Sequence, residues 1–121
     1  MKIAITYQNQ REITGHAGKN SRFLIYTLNT DSKEIESKEI INLTKEDILH
    51  NRFHNSLDPY SPHPLFDVDY IITAGAGTGF VNRLATQSVK VLITSETDPE
   101  EAVRLLINNK LPLQSAHNHH H

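Results

Sequence analysis

The chain has 121 residues, of which 37% are hydrophobic and 21% are charged, a composition typical of one folded domain with its own core. Its net charge of −2 and pI near 6.4 argue against nucleic-acid binding, which favours a basic surface. There is no run of about 18 apolar residues to span a membrane, and the polar start of the chain predicts no signal peptide, so we expect a cytoplasmic protein. The chain has no cysteine, which excludes disulfides, thiol catalysis and cysteine-ligated zinc or iron–sulfur sites and leaves histidine, carboxylate or backbone groups as metal ligands.

The first half of the chain contains three apolar segments that predict β-strands. A turn cluster at residues 29–32 separates the second segment from the third, so we expect an antiparallel meander. The predicted strands are Lys2–Tyr7, Arg22–Asn29 and Glu34–Leu43.

A helix and a loop are expected next. Thr44, with the acidic Asp47 three residues later, predicts an N-cap and a helix that runs to about Phe53. Three prolines within residues 55–67 then predict a loop.

The second half of the chain changes to alternating strands and helices. Asp98 followed by Pro99 predicts a well-capped last helix. The order β-β-β-α-β-α-β-α predicts an α/β fold with a mixed five-stranded sheet flanked by helices and a right-handed βαβ crossover. We expect one domain over residues 1–110 and a flexible, His-rich tail over 111–121. The predicted elements are a strand at Val68–Thr73, a helix at Phe80–Gln87, a strand at Lys90–Thr94 and the helix after Asp98.

Gly75, Gly77 and Gly79 lie where a strand is expected to end and a helix to begin. Backbone amides at a helix N-terminus bind anions, and ligands of α/β sheets bind at the carboxyl ends of strands. A dinucleotide site fits poorly, because the third glycine of G-x-G-x-x-G would fall at Phe80 and only one βαβ unit is predicted. A Walker A loop is excluded, since no Lys-Ser or Lys-Thr follows. An anion-binding turn and a tight turn without ligand both remain open.

A second loop carries His16 between Gly15 and Gly18. A histidine flanked by glycines is sterically accessible and can act as a neutral imidazole ligand or a proton carrier. Lys19 follows and could offset the charge of an anionic guest. Because this loop opens near the carboxyl end of the first strand, it could share a sheet edge with the glycine loop. The plainer alternative is an exposed histidine without a function.

Two segments of the chain resemble a known protein family. Residues 14–26, Thr-Gly-His-Ala-Gly-Lys-Asn-Ser-Arg-Phe-Leu-Ile-Tyr, are similar to the D-H-F-G-x-x-x-x-F-x-I-Y signature of the NifX/NafY/NifB-C-terminal family of iron–molybdenum-cofactor-binding proteins. Residues 67–79 resemble the D-V-V-I-x-G-G-M-G-x-G segment of the same family, and residues 89–94 with the helix after Asp98 match its ending.

The resemblance implies a ribonuclease-H-like three-layer fold and binding of the iron–molybdenum cofactor or a precursor iron–sulfur cluster. It also implies nitrogenase assembly proteins as partners and His16 as the metal-cluster ligand. The chain departs from the family pattern at three positions: Gly15 replaces a common acid, Ala17 replaces a phenylalanine, and Ala76 replaces the second glycine of a pair. These departures leave the identity of the guest open.

The remaining histidines offer weaker candidates. His50 and His54 are four residues apart on a predicted helix and share a face, and with His63 they could bind Zn²⁺ or Ni²⁺. The alternative is that histidines near a helix C-terminus are favoured by the helix dipole. His117 and the run 119–121 could form a weak metal-scavenging tail or be a tag remnant.

No group of residues in the sequence matches a catalytic motif, so we expect a binding protein rather than an enzyme. Ser88 and Ser95 lack a G-x-S-x-G context. The first strand carries no acid, which argues against nuclease chemistry despite the expected fold.

The first hypothesis is a carrier of an anionic metal cluster, in which His16 donates one ligand bond and Lys19, Arg83 and loop amides stabilise the charge. The alternatives are a small anionic-metabolite sensor without metal and an interaction module without a ligand. The glycines expected to shape this site are Gly15, Gly18, Gly75, Gly77 and Gly79.

Overall fold

A computed structural model describes residues 1–7 and 12–116 of the protein. Within these residues no helix is long and apolar enough to cross a membrane. Short 3₁₀ turns lie at Ala17–Lys19, Lys45–Asp47 and Pro64–Phe66. The strands and helices are β1 (Lys2–Thr6), β2 (Arg22–Leu28), β3 (Ile35–Asn42), α1 (Leu49–Asn55), β4 (Tyr70–Thr73), α2 (Thr78–Ala85), β5 (Lys90–Ile93) and α3 (Pro99–Ile107).

The five strands form one mixed sheet in the order β3-β2-β1-β4-β5. β1 pairs antiparallel with β2, and β2 antiparallel with β3, which is the predicted meander. β4 lies parallel to both β1 and β5. The predicted α/β class and mixed five-stranded sheet are confirmed, whereas the ribonuclease-H-like label stays a prediction.

The two faces of the sheet bury separate apolar cores, because alternate strand residues point to opposite sides. One face, with Ala4, Phe23 and Ile71, packs against Leu49 of α1 and Leu84 of α2. The other face carries Ile3, Ile5, Leu24, Tyr26 and Ile72, and it is covered by Ala102 and Val103 of α3. The fold therefore has three layers, with α1 and α2 on one side and α3 on the other.

The predicted helix start at Thr44 is wrong. The Thr44 hydroxyl donates to the Asp47 carboxylate (3.3 Å) instead of accepting from a helix amide. The Asp47 carbonyl lies 2.7 Å from the His63 Nε2, so a contact with the later loop occupies an acceptor that a continuous helix would use. Ile48 then takes an extended ψ of 124°, and α1 begins only at Leu49. The cap at the last helix is confirmed, since the Asp98 carboxylate accepts from the Glu101 amide at 2.8 Å.

The segment after α3 returns to the sheet. The Gln114 amide donates to the Ile93 carbonyl at 2.7 Å, which is possible because β5 is an edge strand with unpaired acceptors. The expected tail from Leu111 onwards thus includes a residue that pairs with β5, and its flexibility stays a prediction. The terminal histidines, His117 and 119–121, lie outside the described residues, as does the stretch 8–11 of the first loop.

Candidate functional site

The His16 loop and the glycine loop meet at one edge of the sheet. They follow β1 and β4, which are parallel neighbours, so both loops leave the sheet at the carboxyl ends of their strands. Two backbone hydrogen bonds join them: the Ala74 amide donates to the Thr14 carbonyl (2.9 Å), and the Ala17 amide donates to the Gly75 carbonyl (3.2 Å). The structure thus brings together the two loops that the sequence analysis placed at a common edge.

Two buried threonine hydroxyls form hydrogen bonds to the backbone of both loops at this junction. Thr6 and Thr73 are the last residues of β1 and β4, and both are fully buried. The Thr6 hydroxyl donates to the Thr14 carbonyl at 2.6 Å and lies 3.0 Å from the Thr73 hydroxyl. The Thr73 Oγ1 lies 3.0 Å from the Thr14 carbonyl oxygen and 3.1 Å from the Gly75 carbonyl oxygen. The hydroxyls therefore fix the path of both loops where they leave the sheet.

His16 is exposed and has left-handed backbone angles, φ 54° and ψ 50°. A non-glycine residue rarely adopts this conformation, so the surrounding loop must hold it there. Its carbonyl accepts from the Lys19 amide at 2.9 Å, which closes the 3₁₀ turn. None of the described glycines has a positive φ value, and the left-handed conformation in this loop belongs to His16 itself.

Gly18 and Gly15 have different roles in the loop. A Cβ on Gly18 would lie 3.3 Å from the Phe80 ring, which is tighter than ordinary contact, so the missing side chain lets the turn approach α2. A Cβ on Gly15 would meet the Gly75 backbone nitrogen only at 3.6 Å, an ordinary contact. A side chain at position 18 would therefore need the Phe80 ring to move by a few tenths of an ångström, whereas a side chain at position 15 would not need such a shift.

The glycine loop ends in the N-terminus of α2. Gly77 is the N-cap residue, and its carbonyl accepts the first helical hydrogen bond from Val81 at 3.1 Å. The amides of residues 78–80 consequently have no helical acceptor, and the helix dipole makes this end electropositive. The helix starts two residues earlier than predicted, so Gly79 lies in its exposed first turn rather than in the loop.

These elements and α1 enclose an open cleft of about 770 Å³. The His16 loop, the glycine loop, α1 and α2 all contribute to its walls. Each of the predicted site residues lines it: Gly15, His16, Gly18, Lys19, Gly75, Gly77, Gly79 and Arg83. Phe53, His50 and His54 of α1 also line the cleft. The sequence analysis had not connected these residues with His16.

The cleft is electropositive. Lys19 and Arg83 line it, and no Asp or Glu is among the described residues of its walls. The Arg83 guanidinium lies over the Phe53 ring, 5.2 Å from its centroid, which orients the cation at the rim. Loss of hydration, together with the nearby His54 and Lys19, lowers the pKa of His50 below its usual 6.5. A chain with a net charge of −2 therefore has a cleft whose charged lining residues are all basic.

The predicted set of His50, His54 and His63 does not form a metal site. His63 is buried, its Nδ1 accepts from the Leu65 amide at 3.0 Å, and its Nε2 faces the Asp47 carbonyl, so both ring nitrogens are used within the fold. In the described part of the chain no three His, Cys, Asp or Glu side chains are grouped to hold one metal ion. The sequence signal for His50 and His54 was their shared helix face, but their place in the cleft depends on how α1 packs.

Comparison with known families identifies the chain. The profile described as "Dinitrogenase iron-molybdenum cofactor" matches residues 1–109. The chain belongs to this family. The match covers all eight strands and helices, and both loops of the cleft lie inside it. No curated protein matches the chain at a significant level.

Solved structures of similar proteins support the fold of this family member. The PH0822 protein superposes with a TM-score of 0.67 at 15% identity, covering 94% of this chain and 96% of that one. The MJ0327 protein of Methanocaldococcus jannaschii, provisionally named a dinitrogenase, gives 0.66 at 17% identity with 97% of both chains covered. The TM1290 protein of Thermotoga, provisionally named a NifB protein, gives 0.57 at 16% identity, covering 93% and 91%. At these identities the likeness concerns the fold alone.

Proposed function

We propose that the protein is a non-catalytic carrier of an anionic metal cluster, the iron–molybdenum cofactor or a precursor iron–sulfur cluster. The observation that carries this proposal is the cleft, in which an exposed imidazole, two cations and a helix N-terminus face one space whose described walls hold no carboxylate. Membership of the dinitrogenase iron-molybdenum cofactor family supports this choice of cargo.

In this function His16 donates one ligand bond to a metal of the cluster. Its ring is exposed, and its backbone is held by the Ala17–Gly75 hydrogen bond and the 3₁₀ turn, so the ligand is presented in a defined place. Lys19, Arg83 and the first amides of α2 stabilise the negative charge of the cluster, as such groups do for anions in general. The protein supplies no thiolate, because it has no cysteine.

A small number of ligand bonds suits a carrier. A structural metal site encloses its ion with four protein ligands, whereas a cluster that must be passed on has to leave again. The cleft is open to solvent along one side, which gives a receiving protein access to the cargo. Nitrogenase assembly proteins are the partners that this function requires.

Anaerobic titration with isolated iron–molybdenum cofactor, followed by absorbance and metal analysis, tests the proposal. We expect one cofactor per chain for the wild type and weaker binding for His16→Ala. Arg104→Ala is a suitable control, because Arg104 is an exposed cation on α3, on the opposite layer. A wild type that binds no cofactor, or a His16→Ala variant that binds it equally well, would contradict the proposal.

A second candidate is a sensor of a small anionic metabolite. It is favoured by the helix N-terminus with Lys19 and Arg83, a set that binds phosphate-like groups without a metal. Under this alternative inorganic phosphate or a phosphorylated metabolite binds the cleft, and His16→Ala retains that binding while Arg83→Ala loses it.

A further inference from the structure

We propose that His50 and His54 form a second attachment point for the cargo, on a different wall of the cleft from His16, and that the cleft therefore takes a polynuclear metal cluster rather than a single ion. This inference rests on the proposed function and goes beyond it, because it adds two ligands from α1.

The two imidazoles are arranged as a pair. They are four residues apart on α1, so they project from the same face of the helix, and their ring centroids are 4.6 Å apart. Both side chains are exposed and both line the cleft. The opposite side of α1 is occupied by packing, since Leu49 and Arg52 are buried.

The ring nitrogens of this pair are available for a ligand. Within the described chain neither the His50 ring nor the His54 ring has a hydrogen bond, in contrast to the His63 ring, whose two nitrogens contact the backbone.

The position of the pair relative to His16 is set by Gly18. The Cβ of His50 lies 3.9 Å from the place where a Gly18 Cβ would be, so α1 packs directly against the 3₁₀ turn that follows His16. Nevertheless, in the described part of the chain the three histidines are not grouped around a common point for one ion. A guest that contacts both His16 and the α1 pair must therefore be wider than one metal ion, and a cluster of several metals meets that condition.

The test compares the wild type, His16→Ala and the double variant His50→Gln/His54→Gln in anaerobic titrations with isolated iron–molybdenum cofactor. Asn55→Ala is the matched control, because Asn55 is exposed at the end of the same helix but does not line the cleft. We expect the double variant to bind about tenfold more weakly or worse, as losses around metal sites do, and the control to bind like the wild type. X-ray absorption at the iron edge should show less imidazole scattering in the double variant.

The outcomes separate this inference from the proposed function. A double variant that keeps wild-type affinity and imidazole scattering, while His16→Ala is weakened, overturns this inference alone. A wild type that binds no cofactor overturns both. Titration with Zn²⁺ tests the size of the guest, since one tight zinc site lost in both His16→Ala and the double variant would mean that the three histidines converge on a single ion. The terminal histidines are present in every variant and contribute equally.

Discussion

Replacing Thr73 by valine tests how the two loops of the cleft are held. Valine has nearly the same shape as threonine, so the change removes the hydroxyl and leaves the packing of β4 in place. The Thr73 Oγ1 lies 3.0 Å from the Thr14 carbonyl oxygen, 3.1 Å from the Gly75 carbonyl oxygen and 3.4 Å from the Gly75 amide nitrogen.

The expected loss of stability depends on which polar groups keep a hydrogen-bond partner after the substitution. The Thr14 carbonyl retains the Thr6 hydroxyl and the Ala74 amide, and the Gly75 carbonyl retains the Ala17 amide. The buried Gly75 amide loses the only acceptor that it has in the described chain. One lost hydrogen bond and one unsatisfied buried donor together predict a free energy of unfolding lower by about 1–3 kcal/mol.

Urea unfolding measures this loss, and the m-value should stay unchanged because the same surface is exposed on unfolding. Thr27→Val is the matched control, since Thr27 is a half-buried strand residue whose hydroxyl has no hydrogen bond within the described chain. Its unfolding free energy should change by less than about 0.5 kcal/mol. If Thr73→Val changed stability no more than this control, the threonine hydroxyls would not support the loop junction.

Three further predictions concern buried side chains on the two faces of the sheet. Leu84→Ala removes a fully buried side chain between α2 and the sheet and should lower the free energy of unfolding by about 2–5 kcal/mol in urea titrations; a smaller loss would mean that the core collapses into the space. Burial lowers the pKa of His63 below 6.5, so the folded state binds fewer protons than the unfolded state there. The stability from neutral His63 is therefore complete above pH 6.5 and is lost as the pH falls through the lowered pKa. Urea midpoints across this range should fall for the wild type and fall less for His63→Gln, and equal slopes would contradict the assignment. Burial, with Glu100 and Asp98 nearby, raises the pKa of Tyr26 to about 12. A phenolate absorbance titration should show one late tyrosine that is missing in Tyr26→Phe, and an unchanged titration curve in that variant would refute it.

The strands were predictable from the sequence because their apolar residues alternate in short runs bounded by turn residues. β2 and β3 begin and end within one residue of the prediction. β4 is shorter than predicted: Val68 is buried as expected, but the pairing of β4 with β1 and with β5 begins only at Tyr70. Burial alone does not place a residue in a strand.

The helix after β3 was mispredicted for a tertiary reason. The capping pattern of Thr44 and Asp47 is local, but the Asp47 carbonyl faces the His63 ring, and the Asp47 carboxylate lies 3.7 Å from the Arg52 guanidinium. Both partners are held by the loop at residues 61–63, since Arg52 also donates to the Ser61 and Pro62 carbonyls. No local pattern reveals which distant group will take a helix carbonyl.

The candidate site was predictable in part. The sequence allowed the His16 loop and the glycine loop to share a sheet edge, and the parallel pairing of β1 with β4 in the structure brings them together. The contribution of α1 was missed, since the position of His50 and His54 depends on Leu49 packing into the core and on the contact between His50 and Gly18. These are long-range contacts that the spacing of the histidines does not encode.

A crystal structure of the protein loaded anaerobically with iron–molybdenum cofactor, with iron located by anomalous scattering, tests the central claim most directly. We expect one iron cluster in the cleft between the His16 loop, α1 and α2, with the His16 imidazole bound to a metal and Lys19 and Arg83 beside the cluster. Iron bound elsewhere, for example at the terminal histidines, or a cluster in the cleft with the His16 ring turned away from it, would contradict the account.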